Sequence, residues 1–320
     1  MPNLTGTVSR LYELQKNMTQ NLIPTVSVII PAYNRAHVIG QAIQSVLGQT
    51  RQDFEIIVID DASIDNTEET VRSFTDSRIR YLRHEQNYGA PQARNSGAEA
   101  AAGSFLAFLD SDDIWYPEYL ERQLGLLAAL PPTVGMSCCN MMQKIGDGYR
   151  VVGPGMRSLT FDENLIHADG ICASSFVTRK EAFQSIAGFD VDFSSFQDFD
   201  FLLRMASKYQ IAAIDEALFE YRLGNDSISR NMLSKAKGFE RIISVYKNDI
   251  LRLGLMHRYL FRLGQYYVLS DNLNTGRWRW FQALRYKIWD TKVWKHLLFA
   301  LGGGRLYKYA LQLHNRRMER

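Results

Sequence analysis

The chain reads as an α/β protein: a mainly parallel, doubly wound sheet flanked by helices, followed by a helical C-terminal appendage. Three observations predict this. Short apolar or β-branched runs of strand length alternate with segments of helical pattern, and strand–helix–strand order requires the crossover connections of parallel pairing. Each of the first four runs ends in a polar stretch, as expected where a ligand crevice lies at the carboxyl ends of parallel strands. Beyond "YRLGNDSISRN" (221–231) the strand pattern stops and the rest is helical.

Taken in order, "VSVII" (26–30) is the first strand and runs into "PAYNR" (31–35). Val38, Ala42, Val46 and Gln49 space a helix over 36–49. "FEIIVID" (54–60) opens into "DDASIDNT" (60–67) and a helix over 66–74. "RIRYLR" (78–83) leads through "HEQNYGAPQARNSG" (84–97) to an alanine-rich helix over 90–102. "SFLAFL" (104–109) ends on "DSDD" (110–113). "GICASSFVTRKEAF" (170–183) predicts a further strand and helix, and "FQDFDFLLRMASKY" (196–209) a helix with Phe199, Leu202, Leu203 and Ala206 on its apolar face. The organisation expected is an arm over 1–25, a catalytic-size body over 26–230 and a helical region over 231–320, with no internal repeat.

At 320 residues, 46% hydrophobic and 22% charged, the chain can bury a core. Cys138, Cys139 and Cys172 show no CxxC or Cys/His spacing, so neither a disulfide framework nor a structural zinc site is expected, and the setting reads as reducing and cytoplasmic. Arg10, Glu13 and Lys16 interrupt the first 25 residues, so no signal peptide is read there. No run of about 18 apolar residues occurs that would span a bilayer. The net charge of +3 divides unevenly, −10 before residue 231 and +13 from there on, so the two parts are expected to face different partners.

The stretch "FLAFLDSDDIWYPEYL" (105–120) runs five apolar residues into Asp110, Asp112 and Asp113. Crowded carboxylates repel, so they need a cation, hydrogen-bond partners or water. In an extended segment Asp110 and Asp112 share one face and Asp113 takes the other. Two carboxylates on one face suit Mg²⁺ or Mn²⁺, with water and phosphate oxygens completing the shell. The competing reading is that they cap a helix starting near Pro117 or form a solvated turn.

Asp60 and Asp61 end the second strand in the same way, where a carboxylate can accept from a base N–H or a ribose hydroxyl. Capping of the helix that follows is better served by Asp65 and Asn66. No GxGxxG follows the first strand and no Walker loop occurs, while "LGGGR" (301–305) is a lone glycine run. A diphosphate without a glycine cradle is naturally handled by a metal ion, which returns to "DSDD".

Together, "VSVIIPAYNRAHVIGQAIQSVLGQT", "FEIIVIDDASIDNT", "NYGAPQARNSGAEAAAGSFLAFLDSDD", "SSFVTRKEAFQSIAGFD" and "QDFDFLLRM" resemble family 2 glycosyltransferases of the GT-A fold, over roughly residues 26–229. The resemblance implies a Rossmann-like, inverting transferase in cell-surface polysaccharide or glycolipid assembly. Its donor would be a nucleotide-diphosphate sugar, a UDP-sugar foremost, and its acceptor a hydroxyl of a glycan or lipid-linked glycan. It implies that the backbone around Pro31, Ala32 and Tyr33 and the carboxylate of Asp61 hold the nucleobase. It puts Asp110 and Asp112 in the DXD position for Mn²⁺ or Mg²⁺, with Asp112 the direct ligand and Asp110 nearer the ribose or an outer water. Arg94 and Asn95 in "ARNSG" line the same crevice, as donor contacts or as helix packing.

The family's catalytic base carries over to Asp198 in "QDFDFLLR", where Gln197 replaces the usual glutamate and a neighbouring charge is lost. Helix capping is the structural reading of Asp198, and Asp200 is the second candidate base. Arg222 in "YRLGNDSIS" would pair with diphosphate oxygens or with Glu220, and Gly224 stands where many relatives have histidine.

The tail carries Trp278, Trp280, Trp289 and Trp294 among Arg277, Arg279, Arg285, Lys287, Lys292 and Lys295. Two readings stand: aromatics packed on the body, or an interfacial patch on anionic lipid at the inner face of the cell membrane. Nucleic acid is not an expected partner, since no recognition motif accompanies the charge. Two other classes remain: a non-catalytic nucleotide-sugar-binding or scaffold protein, which the retained aspartates disfavour, and a nucleotidyltransferase, which would carry a glycine and basic loop where "PAYNRAH" stands.

Overall fold

The computed structural model describes residues 24–145, 148–155, 159–167, 171–222, 231–304 and 307. The expected arm, up to residue 23, and Gly224 lie outside the described residues.

Four strands form the parallel half of the sheet: β1 (Val26–Ala32), β2 (Phe54–Asp60), β3 (Ile79–Arg83) and β4 (Phe105–Phe108), in the order β3-β2-β1-β4. Val28 lies between Ile56 and Ala107. Every residue of β1 and β2 is buried, which is why both read as continuous apolar runs. Alternation still divides them. Ile29, Ile57, Ile59, Leu106 and Phe108 face one core, against α3 (Ala90–Ala100). Val28, Ile30, Ile56, Val58 and Ala107 face the other, against α1 (Ile39–Leu47), whose Ile39, Ala42, Ile43 and Val46 are buried. A methyl group at Gly97 of α3 would come within 2.4 Å of Ile29 Cγ2, so the helix lies directly on β1. The short helix α2 (Thr67–Arg72) begins where Asp65 Oδ1 accepts from Thr67 N at 3.1 Å, as the sequence suggested. β3 closes the edge with Arg80 and Arg83 half in solvent, charges that discourage further pairing.

The second half of the sheet is mixed. After β5 (Ile114–Trp115) and α4 (Tyr119–Ala129) come the long β6 (Val134–Ile145), β7 (Gly148–Val152), β8 (Phe176–Arg179) and the long β9 (Gln210–Tyr221). The order continues β4-β8-β6-β9-β5, with β7 on β6. β8 runs against both β4 and β6, while β6 and β9 are parallel. The antiparallel junction has a local cause: Ser174, just before β8, accepts from Asp110 N at 3.0 Å, so β8 starts where β4 ends. β6 and β9 are additions to the strands read from the sequence. Cys138 and Cys139 on β6 face opposite cores, which explains two adjacent buried thiols.

Helices α5 (Phe161–His167), α6 (Lys180–Ser185) and α7 (Gln197–Ala206) pack on the β8 side, and α8 (Met232–Val245), α9 (Lys247–Arg252), α10 (Met256–Leu269), α11 (Leu273–Leu284) and α12 (Thr291–Leu301) follow. This helical region shares the core of the body. Phe239 packs on Phe196 with ring centroids 5.2 Å apart, Tyr246 Oη donates to Asp200 Oδ1 at 2.7 Å, and Tyr259 Oη donates to the Leu165 carbonyl at 2.7 Å. α10 and α11 meet at two glycines: a methyl at Gly264 would lie 2.9 Å from the Gly276 carbonyl and 2.3 Å from Trp280 Nε1.

The tail divides into residues packed on the body and residues on the surface. Trp280 is fully buried and donates to the Phe261 carbonyl at 2.9 Å, Arg279 pairs with Glu240, and Arg277 donates to the Ala300 carbonyl. Trp278, Trp289 and Trp294 are exposed, Trp289 at 86%. Among the described residues, no helix is long and apolar enough to cross a membrane.

Candidate active site

A cleft of about 750 Å³ opens at the carboxyl ends of β1, β2 and β4. It sits where the strand order reverses between β1 and β4, the position at which open α/β sheets bind ligands. Pro31, Ala32, Tyr33, Asp61, Arg94, Asp110, Asp112, Asp198 and Arg222, all singled out from the sequence, line it together.

The crowded aspartates are sorted by their partners. The chain turns here instead of staying extended, with Asp113 N donating to the Asp110 carbonyl at 3.0 Å before β5 crosses to the far edge of the sheet. The facing expected from strand alternation therefore arises from a turn. Asp110 accepts from Arg94 Nη2 at 2.5 Å. Asp113 is buried and accepts from Arg222 N at 2.9 Å; burial and its two aspartate neighbours push its carboxyl well above the usual range. Neither caps α4, which starts at Tyr119. Asp112 takes no hydrogen bond or ion pair from another described residue, and burial beside Asp110 raises its carboxyl to about 6.

Asp61 is buried and organises the loop before α3, accepting from His84 Nδ1 at 2.7 Å, Tyr88 N at 3.0 Å and Gly89 N at 2.7 Å. Gly89 makes this possible with φ of +90°, a conformation open to glycine. Asp60, its neighbour, is a structural residue that accepts from Ser63 N and Tyr81 Oη. Arg94 is buried, lies over the Phe189 ring at 5.3 Å, and has Nε and Nη1 without partners among the described residues. Asn95 is given to packing, clamping Phe189 through both its amide groups at 2.8 and 2.9 Å.

α7 delivers Asp198 from the opposite wall. The residue before the helix, Phe196, has φ of +65°, a strained conformation for an aromatic residue. Asp198 follows in the first turn and is not the cap; among the described residues its Oδ1 accepts from Phe199 N alone, at 2.9 Å. Burial raises its carboxyl while Arg94 opposes that rise, and Asp110 adds to it. Asp200, the second candidate base, faces away from the cleft, 2.7 Å from both Arg204 and Tyr246 Oη. Arg222 pairs with Glu220 at 2.8 Å and donates to Gln41 at 2.6 Å.

Lys235 and Gln197 are among the lining residues not singled out as ligand contacts. Lys235 on α8 reaches the cleft from the basic tail, and burial and Arg262 lower its ammonium. Gln197 has its Oε1 buried without a partner among the described residues. A lysine in a charged helix carries no signal of its destination.

Comparison with known proteins now decides the family. The family described as Glycosyl transferase family 2 matches residues 27–186. The chain is 33% identical over 220 residues to the putative teichuronic acid biosynthesis glycosyltransferase TuaG of Bacillus subtilis, covering 68% of this chain and 86% of that one. The chain belongs to glycosyl transferase family 2. A second relative is the UDP-Glc:alpha-D-GlcNAc-diphosphoundecaprenol beta-1,3-glucosyltransferase WfgD of Escherichia coli, 32% identical over 240 residues, 73% of this chain and 92% of that one. S. aureus TarS (1–349), solved in complex with UDP-GlcNAc, matches with a TM-score of 0.65 over 91% of this chain and 92% of that one; at 18% identity it speaks for the fold. The protein is thus a glycosyltransferase with the GT-A-like α/β fold and a helical C-terminal region.

The donor set fits a hard divalent cation. Asp112 is an unpartnered carboxylate beside a second, Asp110, and no trio of His, Cys, Asp or Glu forms a closed cage among the described residues. One or two carboxylates completed by phosphate oxygens and water is how Mg²⁺ or Mn²⁺ is held beside a diphosphate.

Proposed function

We propose that this family 2 enzyme transfers a sugar, with inversion, from a UDP-sugar to a hydroxyl of a lipid-linked glycan in surface polysaccharide or glycolipid assembly. The observation that carries this reading is the facing of Asp198 toward the Asp110–Asp112 turn across one cleft floored by Arg94. The UDP complex of TarS and the lipid-diphosphate acceptor in the name of WfgD support the choice of donor and acceptor.

In this reading the β1 end and Asp61 hold the nucleobase, Asp61 by shaping the 84–89 loop around it. Arg94 offers its two open donors to the diphosphate while holding Asp110 in an ion pair. Arg222 stands by, its side chain already shared with Glu220. Asp112, with Asp110 beside it, would hold Mn²⁺ or Mg²⁺, which when bound neutralises charge on the departing nucleoside diphosphate. Asp198 accepts the proton of the acceptor hydroxyl as its oxygen attacks the anomeric carbon, base catalysis worth about 10²–10⁴-fold. A carboxyl raised by burial is a better base than a solvated one. Gln197 Oε1, open and buried, can accept from a second hydroxyl of the acceptor where the family's usual glutamate would bring a charge. The exposed Trp278, Trp289 and Trp294 with Arg285, Lys287, Lys292 and Lys295 would rest the enzyme on anionic lipid, where its acceptor lies.

The test is incubation with UDP-sugars, Mn²⁺ and sugar-diphosphate-lipid acceptors. Release of UDP with a product of inverted anomeric configuration is the expected result. Release of pyrophosphate, or retention of configuration, would overturn it.

A further inference from the structure

A second cleft, of about 690 Å³, lies between α5, α10 and the segment joining α11 to α12. Its walls are cationic and aromatic: Arg258, Arg262, Lys287 and Lys292, with Trp289 at the rim. Three other arginines of the helical region are ion-paired, Arg241 with Asp190 and Asp192, Arg252 with Asp162, and Arg279 with Glu240. These four cations make no ion pair with any described residue. The one lining acid, Asp290, caps α12, accepting from Lys292 N at 3.0 Å and Val293 N at 3.4 Å. Four cations around one concave site, against the single lining carboxylate of Asp290, leave a net positive charge that an anion would offset.

The two clefts adjoin. Lys235 lines the first and Phe239, one turn along α8, lines the second; on α5, Asn164 lines the first and Leu165 the second. Four residues of helix advance about 6 Å, comparable to the width of one sugar ring. Arg262 lies close enough to Lys235 to depress its ammonium, so positive charge runs on from the second cleft into the first.

We propose that the second cleft is a diphosphate subsite that grips the acceptor's phosphates while its terminal sugar reaches past Lys235 to Asp198. The inference rests on the reading of the acceptor as lipid-linked and adds where, and by which residues, its phosphates are held. Arg262 and Lys292 supply the charge-assisted bonds, and Trp289 at the open rim meets the first lipid carbons.

The test uses the full chain saturated with UDP, so that the first cleft cannot take the probe, titrated with farnesyl diphosphate in a calorimeter. One equivalent is expected to bind, Arg262→Gln to weaken it at least tenfold and Lys292→Gln about threefold, with UDP affinity and thermal midpoint unchanged. Inorganic pyrophosphate should displace the probe and bind more weakly. No binding to the UDP-saturated protein, or binding indifferent to both substitutions, overturns the subsite. Adhesion to phosphatidylglycerol vesicles without farnesyl diphosphate binding also overturns it, leaving a membrane contact only. If UDP itself fails to bind, the donor reading falls. The subsite is then judged on the free protein, where Arg262→Gln should weaken the probe and Arg94→Gln should not.

Discussion

Arg94 Nη2 donates to Asp110 Oδ1 across 2.5 Å on the floor of the cleft, and this ion pair decides what the neighbouring acids can do. With Asp110 paired to Arg94 and Asp113 buried against Arg222 N, Asp112 is the one of the three that no other described residue hydrogen-bonds or ion-pairs. The same guanidinium tempers the rise in the Asp198 carboxyl opposite. One arginine thus acts on both walls of the cleft.

Replacing Arg94 with Gln should therefore act twice. Donor affinity should fall by about 10–100-fold, the loss of one or two charge-assisted bonds of about 1.5–3 kcal/mol. The acid limb of the kcat/KM–pH profile, set by Asp198, should move to higher pH because the charge that lowered that carboxyl is gone. A limb that stays put would remove Asp198 from the base role or Arg94 from its field.

Asp198→Asn should lower transfer by about 10²–10⁴-fold and leave UDP binding intact. It should also raise the thermal midpoint at neutral pH. A carboxyl raised in the folded state costs stability wherever pH exceeds its unfolded value of 3.8, so the gain should shrink to nothing as pH falls to that range. Melting curves of both proteins across pH 3.5 to about 8 check the sign.

Asp112→Asn should abolish the dependence of donor affinity on Mn²⁺, at a cost of at least about tenfold at saturating metal. Donor titrations with and without MnCl₂ measure this. Unchanged metal stimulation would return the role to Asp110 alone.

Asp200 sits with Arg204 and Tyr246 in a buried network, so Asp200→Asn should cost about 3–5 kcal/mol in urea unfolding while turnover per folded molecule stays near normal. Loss of turnover without loss of stability would make Asp200 the base after all.

Two tryptophans separate packing from surface. Trp280→Ala should cost about 3–5 kcal/mol, since its ring is fully buried and its Nε1 bonded to Phe261. Trp289→Ala should stay within about 0.5 kcal/mol of the parent yet reduce cosedimentation with anionic vesicles. Deleting 277–320 would mix the two effects, because it removes Trp280 from a core the body shares.

Much of the site was legible from residue order. Strand ends are where an open parallel sheet binds ligands, and buried central strands announce themselves as apolar runs, so Pro31, Asp61 and Asp110 could be placed without coordinates. The long β6 and β9 were not, because "GMSCCNMM" and "IAAIDEALFEY" mix small, polar and apolar residues in a way that suits strand or helix equally.

By itself the sequence determined the parallel half of the fold, the family, and the strand-end side chains that meet in the cleft, because local periodicity and motif order carry that information. Only the tertiary structure decided how those side chains divide the work. It gave Asn95 to Phe189, Asp200 to Tyr246 and Trp280 to the core, left Asp112 and two donors of Arg94 open among the described residues, and brought Lys235 in from the tail. Partnership depends on which atoms far apart in the chain come within hydrogen-bonding distance, and no local pattern encodes that.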